Sequence, residues 1–166
     1  MASTTVVARS ASASSVSTGV AALDRLIELA ALAGRFEIQL ALAPAEPEAE
    51  VDGAGAELGR SLLPLLNAPR AKGHGVGTMA KDEALATVVL ESSGRPLVAS
   101  NVDLASAHVG GLETDLASRF LGALAEAAGL TIHVRLIEGE ESGHVVDAIF
   151  KALGVALADA FTVIRD

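Results

Sequence analysis

The chain has 166 residues, of which 51% are hydrophobic and none is cysteine. A chain of this length forms one domain with an ordinary core, and the lack of cysteine excludes disulfide scaffolds and thiolate zinc sites and favours a reducing, cytoplasmic compartment. The net charge is −9, with four Phe and no Tyr or Trp, so we expect neither nucleic acid nor, without a long apolar stretch, a membrane as a partner.

The first part of the chain, residues 3–66, predicts a β-β-α-β-α unit. Its start, at 4–8 and in the Ser/Ala tract 10–17, predicts a short pair of strands in an abbreviated hairpin. Apolar residues then recur at helical spacing over 18–34, which predicts a helix. Residues 36–42 alternate between apolar and polar side chains, as in a strand with one buried face. A polar segment and a second helix complete the unit.

The following part of the chain predicts a connection and a second unit. Residues 67–83 are rich in Gly and Ala, which is typical of a linker. The second unit covers 84–166 and begins with two strand-like segments, 86–90 and 96–102, on either side of a Ser-Ser-Gly turn. Two such segments around a Gly turn predict a hairpin.

The second unit repeats the first. A helix over 116–128 and a strand over 130–136 follow in the same order as before, which supports an internal duplication. We therefore predict one α/β domain over 1–166, an α+β sandwich, in which the sheets pack against helices or two sheets are covered by helices on the outside. A constant offset of 95 relates Leu26 to Leu121, Leu29 to Leu124, Ala30 to Ala125, Gly34 to Gly129, Asp52 to Asp147, Leu58 to Leu153 and Gly59 to Gly154.

One pair of residues has the spacing of metal ligands. His144 and Asp147 are three positions apart in a predicted helix, so the imidazole and the carboxylate lie on one face and form a workable ligand pair. Taken alone, the pattern is more typical of a surface ion pair or hydrogen bond.

Five stretches match the motifs of one enzyme family: 82–86, 93–96, 110–116, 124–133 and 144–152. Over residues 18–161 the chain resembles imidazoleglycerol-phosphate dehydratase, a manganese-dependent lyase of histidine biosynthesis. The resemblance implies a ribosomal protein S5 domain 2-like fold of two tandem β-β-α-β-α repeats, each with a His-His-x-x-Glu metal motif. Subunits of the family form trimers through their sheet faces, and metal ions held by different chains join the trimers into a larger shell.

The metal motifs depart from the family pattern. The first falls on 48–52, where both His positions are lost and Asp52 replaces Glu. The second falls on 143–147, where one His is lost and Asp147 replaces Glu. A further family His is Arg25 here, which would repel a divalent ion. We therefore expect no cofactor, or manganese only if the site survives on His133, His144, Asp147 and Asp52.

Other family positions keep their residue types. The resemblance implies that Arg95 and Lys151 bind the substrate phosphate, and we expect them to converge on one anion pocket. Their alternative roles are a structural ion pair and a solvated helix face. The remaining candidates for catalysis are Glu83, Asp82 and Asp147.

Two hypotheses for function follow. In the first, the chain is a dehydratase-like protein related to histidine biosynthesis whose activity is lost or strongly reduced, a non-catalytic paralogue with a structural or anion-binding role. In the alternative, it is an active dehydratase, a carbon–oxygen lyase, with an altered, oxygen-rich metal site. The expected partners are other copies of the chain, as a homotrimer or a larger assembly, and a phosphorylated small molecule.

Overall fold

The computed structural model describes residues 3–8, 10, 12–104 and 116–166. The strands are β1 (Ser3–Val7), β2 (Ser15–Ser17), β3 (Glu37–Ala41), β4 (His74–Lys81), β5 (Ala84–Glu91), β6 (Leu97–Ser100) and β7 (Thr131–Glu138). The helices are α1 (Ala21–Gly34), α2 (Pro47–Leu66), α3 (Leu116–Ala128) and α4 (Ser142–Ala160). None of the helices in these ranges combines the length and the apolar character that crossing a membrane requires. The family-like stretch at 110–115 lies outside the described residues.

The strands form two sheets with related topology. The first has the order β1-β3-β2 and the second the order β4-β5-β7-β6. In each sheet the central strand of the repeat, β3 or β7, is antiparallel to the strand on one side and parallel to the strand on the other. The two halves therefore share one architecture, and the mixed α/β fold class predicted from the sequence is confirmed.

The hairpin predicted around the Ser-Ser-Gly turn is wrong. Strands β5 and β6 do not pair with each other, because β7 lies between them. The turn crosses the end of β7: the Gly94 N–H donates to the Gly129 carbonyl at 2.9 Å, and the Thr131 hydroxyl donates to the Arg95 carbonyl at 2.9 Å. Because β6 runs antiparallel to β5, a short turn past the start of β7 joins them, whereas the parallel pair β6 and β7 is joined by the crossover through α3.

The linker predicted over 67–83 contains strand β4, so that prediction needs correction at His74–Lys81. β4 and β5 form an antiparallel hairpin whose turn begins at Asp82, which has φ 50°. Gly75 and Gly77 face α4 so closely that a Cβ atom on either would overlap its backbone. The glycines that suggested a flexible connection instead allow a strand and a helix to pack in close contact.

The helices form the inside of the molecule. α1 and α2 cover one face of the first sheet, α3 and α4 cover one face of the second, and the helices pack together as α1 with α4 and α2 with α3. The prediction that the sheets pack against helices is confirmed. The alternative, two sheets covered by helices on the outside, is wrong. The other face of each sheet is left open, with the alternating burial typical of strands covered on one side.

The structure corrects the offset between the repeats. Ile38 and Leu40 are buried in β3 as Ile132 and Val134 are in β7, so the strands and the helices before them are related by 94 positions rather than 95. The later helices keep 95, because α2 begins at Pro47 and α4 at Ser142. The second copy has one more residue between its last strand and its last helix.

Candidate functional site

The duplication places an arginine against an aspartate at two equivalent positions. Arg25 in α1 and Arg119 in α3 are 94 positions apart, and Asp52 in α2 and Asp147 in α4 are 95 apart. Nη2 of Arg25 donates to Oδ1 of Asp147 at 2.6 Å, and Nη1 donates to Oδ2 at 3.2 Å. Nη2 of Arg119 donates to Oδ2 of Asp52 at 2.6 Å. The same ion pair therefore joins each pair of helices across the two repeats.

Small residues bring these helices close enough for the ion pairs. A Cβ atom on Gly154 of α4 would overlap the Ala30 carbonyl oxygen of α1. In the other helix pair, a Cβ atom on Gly59 of α2 would lie 2.7 Å from Ala127 Cβ and 3.0 Å from the Leu124 carbonyl oxygen of α3. Helix backbones that approach closely allow long side chains to reach across the interface, as arginine does here.

The aspartates of the two ion pairs differ in burial, and the arginines differ in the opposite sense, with Arg25 54% exposed and Arg119 31% exposed. The side chain of Asp147 is 11% exposed, whereas that of Asp52 is 48% exposed. The hydrogen bond to Asp147 raises the pKa of Arg25, although burial opposes this. A two-pronged guanidinium–carboxylate pair is among the stronger polar contacts in proteins. The Arg25–Asp147 pair is therefore the tighter of the two.

The residues at these positions do not fit the manganese ion that the resemblance implies. Both aspartates that stand for the family's glutamates are bound by a guanidinium, which stays protonated in proteins. Within the described part of the chain, no three His, Asp or Glu side chains meet in an arrangement that would hold a metal ion. The described residues of one chain therefore do not bring together the oxygen-rich metal site that the sequence suggests, and that site stays a prediction.

A second cluster lies where α4 begins. Nδ1 of His144 is 2.7 Å from Oε2 of Glu83, and Nε2 is 3.3 Å from Asp82 and 3.5 Å from Glu141. Glu83 also accepts the Glu141 backbone N–H at 3.0 Å, while the Glu141 side chain caps the helix by accepting the N–H groups of Gly143 and His144. The β4–β5 turn and the first turn of α4 are thus joined through one imidazole.

These contacts favour the charged form of both partners. The backbone N–H of Glu141, together with His144, lowers the pKa of Glu83 to about 2. The hydrogen bond to Glu83 raises the pKa of His144 above its ordinary value of 6.5. A metal ion binds neutral imidazole, so the protonation of His144 that its contact with Glu83 favours competes with ligation.

We expect Glu83→Gln to lower the pKa of His144 towards 6.5, because the mutation removes the largest cause of its rise. The imidazole pKa is measured by NMR titration, with Glu138→Gln as a control that leaves His144 untouched.

Glu83 stabilises the fold above pH 4.5 and loses this effect as the pH falls towards 2. Protonated His144 stabilises the fold below pH 6.5, and this effect is lost as the pH rises through the raised pKa of His144. The contact is therefore strongest between about pH 4.5 and 6.5, and an unchanged pKa in Glu83→Gln would contradict it.

His133 lies apart from this cluster. It is in β7, between Val89 of β5 and Ala99 of β6, and its side chain is on the open face of the second sheet. His144 is in α4, which packs on the covered face of the same sheet. The two imidazoles that the sequence predicts as metal ligands are therefore on opposite sides of the sheet within one chain, and their roles remain predictions.

Arg95 and Lys151 do not converge within one chain. Nζ of Lys151 donates to the Ala80 carbonyl at 2.7 Å, and Ala80 pairs with Leu85 at the start of β5. Arg95 lies beyond the other end of β5, where its carbonyl accepts the hydroxyl of Thr131. Six residues of strand separate the two ends, or about 20 Å. The predicted common pocket is wrong for a single chain, while the phosphate-binding roles stay predictions.

Arg119 is a site residue that the sequence motifs do not indicate. Its equivalence to Arg25 is hidden by the offset of 95, which aligns Arg119 with Asp24 instead. The signal in the sequence that could have found it is the apolar spacing of the helices: an offset of 94 aligns Ala31 with Ala125, whereas an offset of 95 aligns it with the charged Glu126. Recognising that offset would have predicted two equivalent arginines.

Comparisons with known proteins identify the family. The family model described as imidazoleglycerol-phosphate dehydratase matches residues 18–157. An imidazoleglycerol-phosphate dehydratase of Acetivibrio thermocellus is 35% identical over 154 residues, covering 89% of this chain and 77% of that protein. One from Clostridium botulinum strain Kyoto is 34% identical, covering 87% of this chain and 76% of that protein.

Solved structures agree with this assignment. The crystal structure of imidazoleglycerol-phosphate dehydratase from Staphylococcus aureus is similar with a TM-score of 0.87 and 29% identity, covering 98% of this chain and 95% of that one. The Pyrococcus furiosus structure in complex with (S)-C348 gives a TM-score of 0.84 and 25% identity, covering 99% and 90%. The chain therefore belongs to the imidazoleglycerol-phosphate dehydratase family.

Proposed function

We propose that this chain is a histidine-biosynthesis protein that keeps its family's fold but has lost, or strongly reduced, manganese-dependent dehydration of imidazoleglycerol phosphate. The observation that carries the proposal is the pair of equivalent contacts Arg25–Asp147 and Arg119–Asp52. In these contacts the arginines bind Asp147 and Asp52, the two aspartates that occupy the glutamate positions of the family's metal motifs.

Charge repulsion supports a guanidinium rather than a metal ion at this position. If Arg25 stays in place, a divalent ion 4 Å from its charge is opposed by about 8 kcal/mol at an effective dielectric constant of 20. Asp147 would also have to give up a two-pronged hydrogen bond. An aspartate is one methylene shorter than glutamate, which further withdraws the carboxylate from a metal whose ligand distances vary by only about 0.2 Å.

Self-association is the second part of the proposal. The open face of the second sheet exposes Val76, Val89, Leu97 and Ile137. Large apolar side chains exposed on an uncovered sheet face are typical of an interface. We propose that the chain forms a small oligomer, a trimer, through this face, and that its size does not depend on manganese.

The alternative function is an active dehydratase. The comparisons favour it, because the named relatives are imidazoleglycerol-phosphate dehydratases and none of the comparisons indicates lost activity. An assembly of several chains could also bring together groups that one chain holds apart. These groups are the His144–Glu83 pair, His133, Lys151 and Arg95.

One assay separates the two functions. The purified protein, given manganese and imidazoleglycerol phosphate, is expected to eliminate water at less than about a thousandth of the rate of the Staphylococcus aureus dehydratase measured in parallel, because a lost charge clamp costs several kcal/mol of barrier. Light scattering in manganese and in EDTA is expected to give one particle size. Turnover within tenfold of the control enzyme would establish the alternative, and a manganese-dependent larger particle would contradict the proposed metal-independent association.

A further inference from the structure

A cavity of about 690 Å³ lies at the far end of α4, where α1 also ends. Its lining includes Gly34, Arg35, Ala158, Phe161, Thr162 and Arg165. Sites for small molecules in proteins commonly have volumes of about 300–1,000 Å³. From Asp147 to Ala158 the helix rises by about 16 Å, so this cavity is separate from the Arg25–Asp147 pair and the His144 cluster.

Two arginines of the cavity are uncommitted. Neither Arg35 nor Arg165 makes a side-chain hydrogen bond or an ion pair with another residue in the described ranges, whereas neighbouring Arg70 and Lys72 are paired with Asp166 and Asp159. In a chain with a net charge of −9, two guanidinium groups that line one cavity and have no carboxylate partner among the described residues offer a binding site for an anion.

The backbone of Arg35 shows that its side chain is retained at a cost. It follows α1 in the left-handed conformation, with φ 57° and ψ 44°, and its N–H caps the helix. The equivalent position in the second repeat, 94 residues later, is Gly129 with φ 65°. A residue other than glycine costs about 1 kcal/mol there. The capping N–H would be present in glycine as well, so the feature that distinguishes Arg35 is its guanidinium.

The interior of the cavity is apolar. Phe161 is buried and makes an edge-to-face contact with Phe36 at 5.4 Å between ring centroids, and Ala158 and Gly34 complete this wall. An adjoining cavity of about 450 Å³ shares Arg35 and is also lined by Phe36. Glu28 also lines this adjoining cavity, and its carboxylate accepts the Val16 backbone N–H.

We propose that this cavity binds a small organic anion, with an oxyanion group held by Arg35 and Arg165 and an apolar body against Phe161. Guanidinium groups suit carboxylate, sulfonate and phosphate oxygens alike, since each presents two oxygens to the fork. The site is independent of the proposed loss of dehydratase activity, because it uses none of the residues of the metal motifs.

The test uses the apolar sulfonate 8-anilinonaphthalene-1-sulfonate, followed by fluorescence and by calorimetry. Wild-type protein is expected to bind one molecule per chain, and Arg35→Gly and Arg165→Gln are each expected to weaken binding at least tenfold. The control Arg60→Gln, at an arginine of α2 that is paired with Glu57, is expected to bind like the wild type. Competition by hexanoate and by phenyl phosphate tells whether the site prefers a carboxylate or a phosphate.

Arg35→Gly separates a binding role from a structural one. Because glycine relieves the left-handed backbone, this variant is expected to have an equal or higher Tm while it loses affinity. A lowered Tm with unchanged binding in Arg165→Gln would show that the arginines are structural, and binding that neither substitution weakens would overturn the proposal.

Discussion

Gly154→Ala is expected to lower the free energy of unfolding by about 3 kcal/mol, the upper range for forcing added atoms into a packed core. The added Cβ would overlap the carbonyl oxygen of Ala30. Since the obstacle is helix backbone, α1 and α4 would have to move apart. That movement would also lengthen the Arg25–Asp147 contact. Urea denaturation measures the change.

Two glycines provide graded controls. Gly59→Ala is expected to cost less, because the added Cβ would lie 2.7 Å from the Ala127 methyl group and 3.0 Å from the Leu124 carbonyl. Gly122→Ala in α3 places its Cβ in open space, so it is expected to raise the free energy of unfolding by about 0.5–1 kcal/mol through helix propensity. Equal effects in Gly154→Ala and Gly122→Ala would contradict the close approach of α1 and α4.

Arg25→Ala is expected to lower the free energy of unfolding by about 2 kcal/mol, because it leaves the carboxylate of Asp147 without its partner in a place where 11% of the side chain is exposed. The cost of breaking a fully buried pair is higher, about 3–5 kcal/mol, but the Arg25 side chain is 54% exposed and water replaces part of the contact. The loss is measured by urea denaturation at neutral pH.

The duplication supplies the matched control. Arg119→Ala is expected to cost about 0.5 kcal/mol, because its partner Asp52 is 48% exposed. The double variant Arg25→Ala/Asp147→Ala is expected to recover much of the loss, since neither charge is then buried alone. If Arg25→Ala and Arg119→Ala cost the same, burial of Asp147 is not what makes the first pair stronger.

The sequence by itself determined the local elements and the family. α1 and α3 follow from apolar residues at helical spacing, and β3 and β7 follow from strict alternation, since each pattern is contained within one segment. The duplication and the five family-like stretches were equally visible, because they depend on residue identity in order along the chain. These predictions required no knowledge of which segment lies beside which.

Contacts between distant segments were decided only by the tertiary structure. The sequence predicts a linker where β4 lies because glycines considered alone indicate flexibility, and only the position of α4 shows that Gly75 and Gly77 permit close packing. The predicted hairpin failed because β7, some 30 residues further on, lies between β5 and β6.

The site shows the same division. The sequence identified Arg25 as a lost ligand position and Asp147 as a shortened carboxylate, but not that they bind each other across 122 positions. Their contact depends on how closely α1 approaches α4, and that distance is set by Gly154 and Ala30 together. Periodicity and motif matches describe one segment at a time, whereas an ion pair between helices exists only once both helices have packed, which is why the structure alone could reveal it.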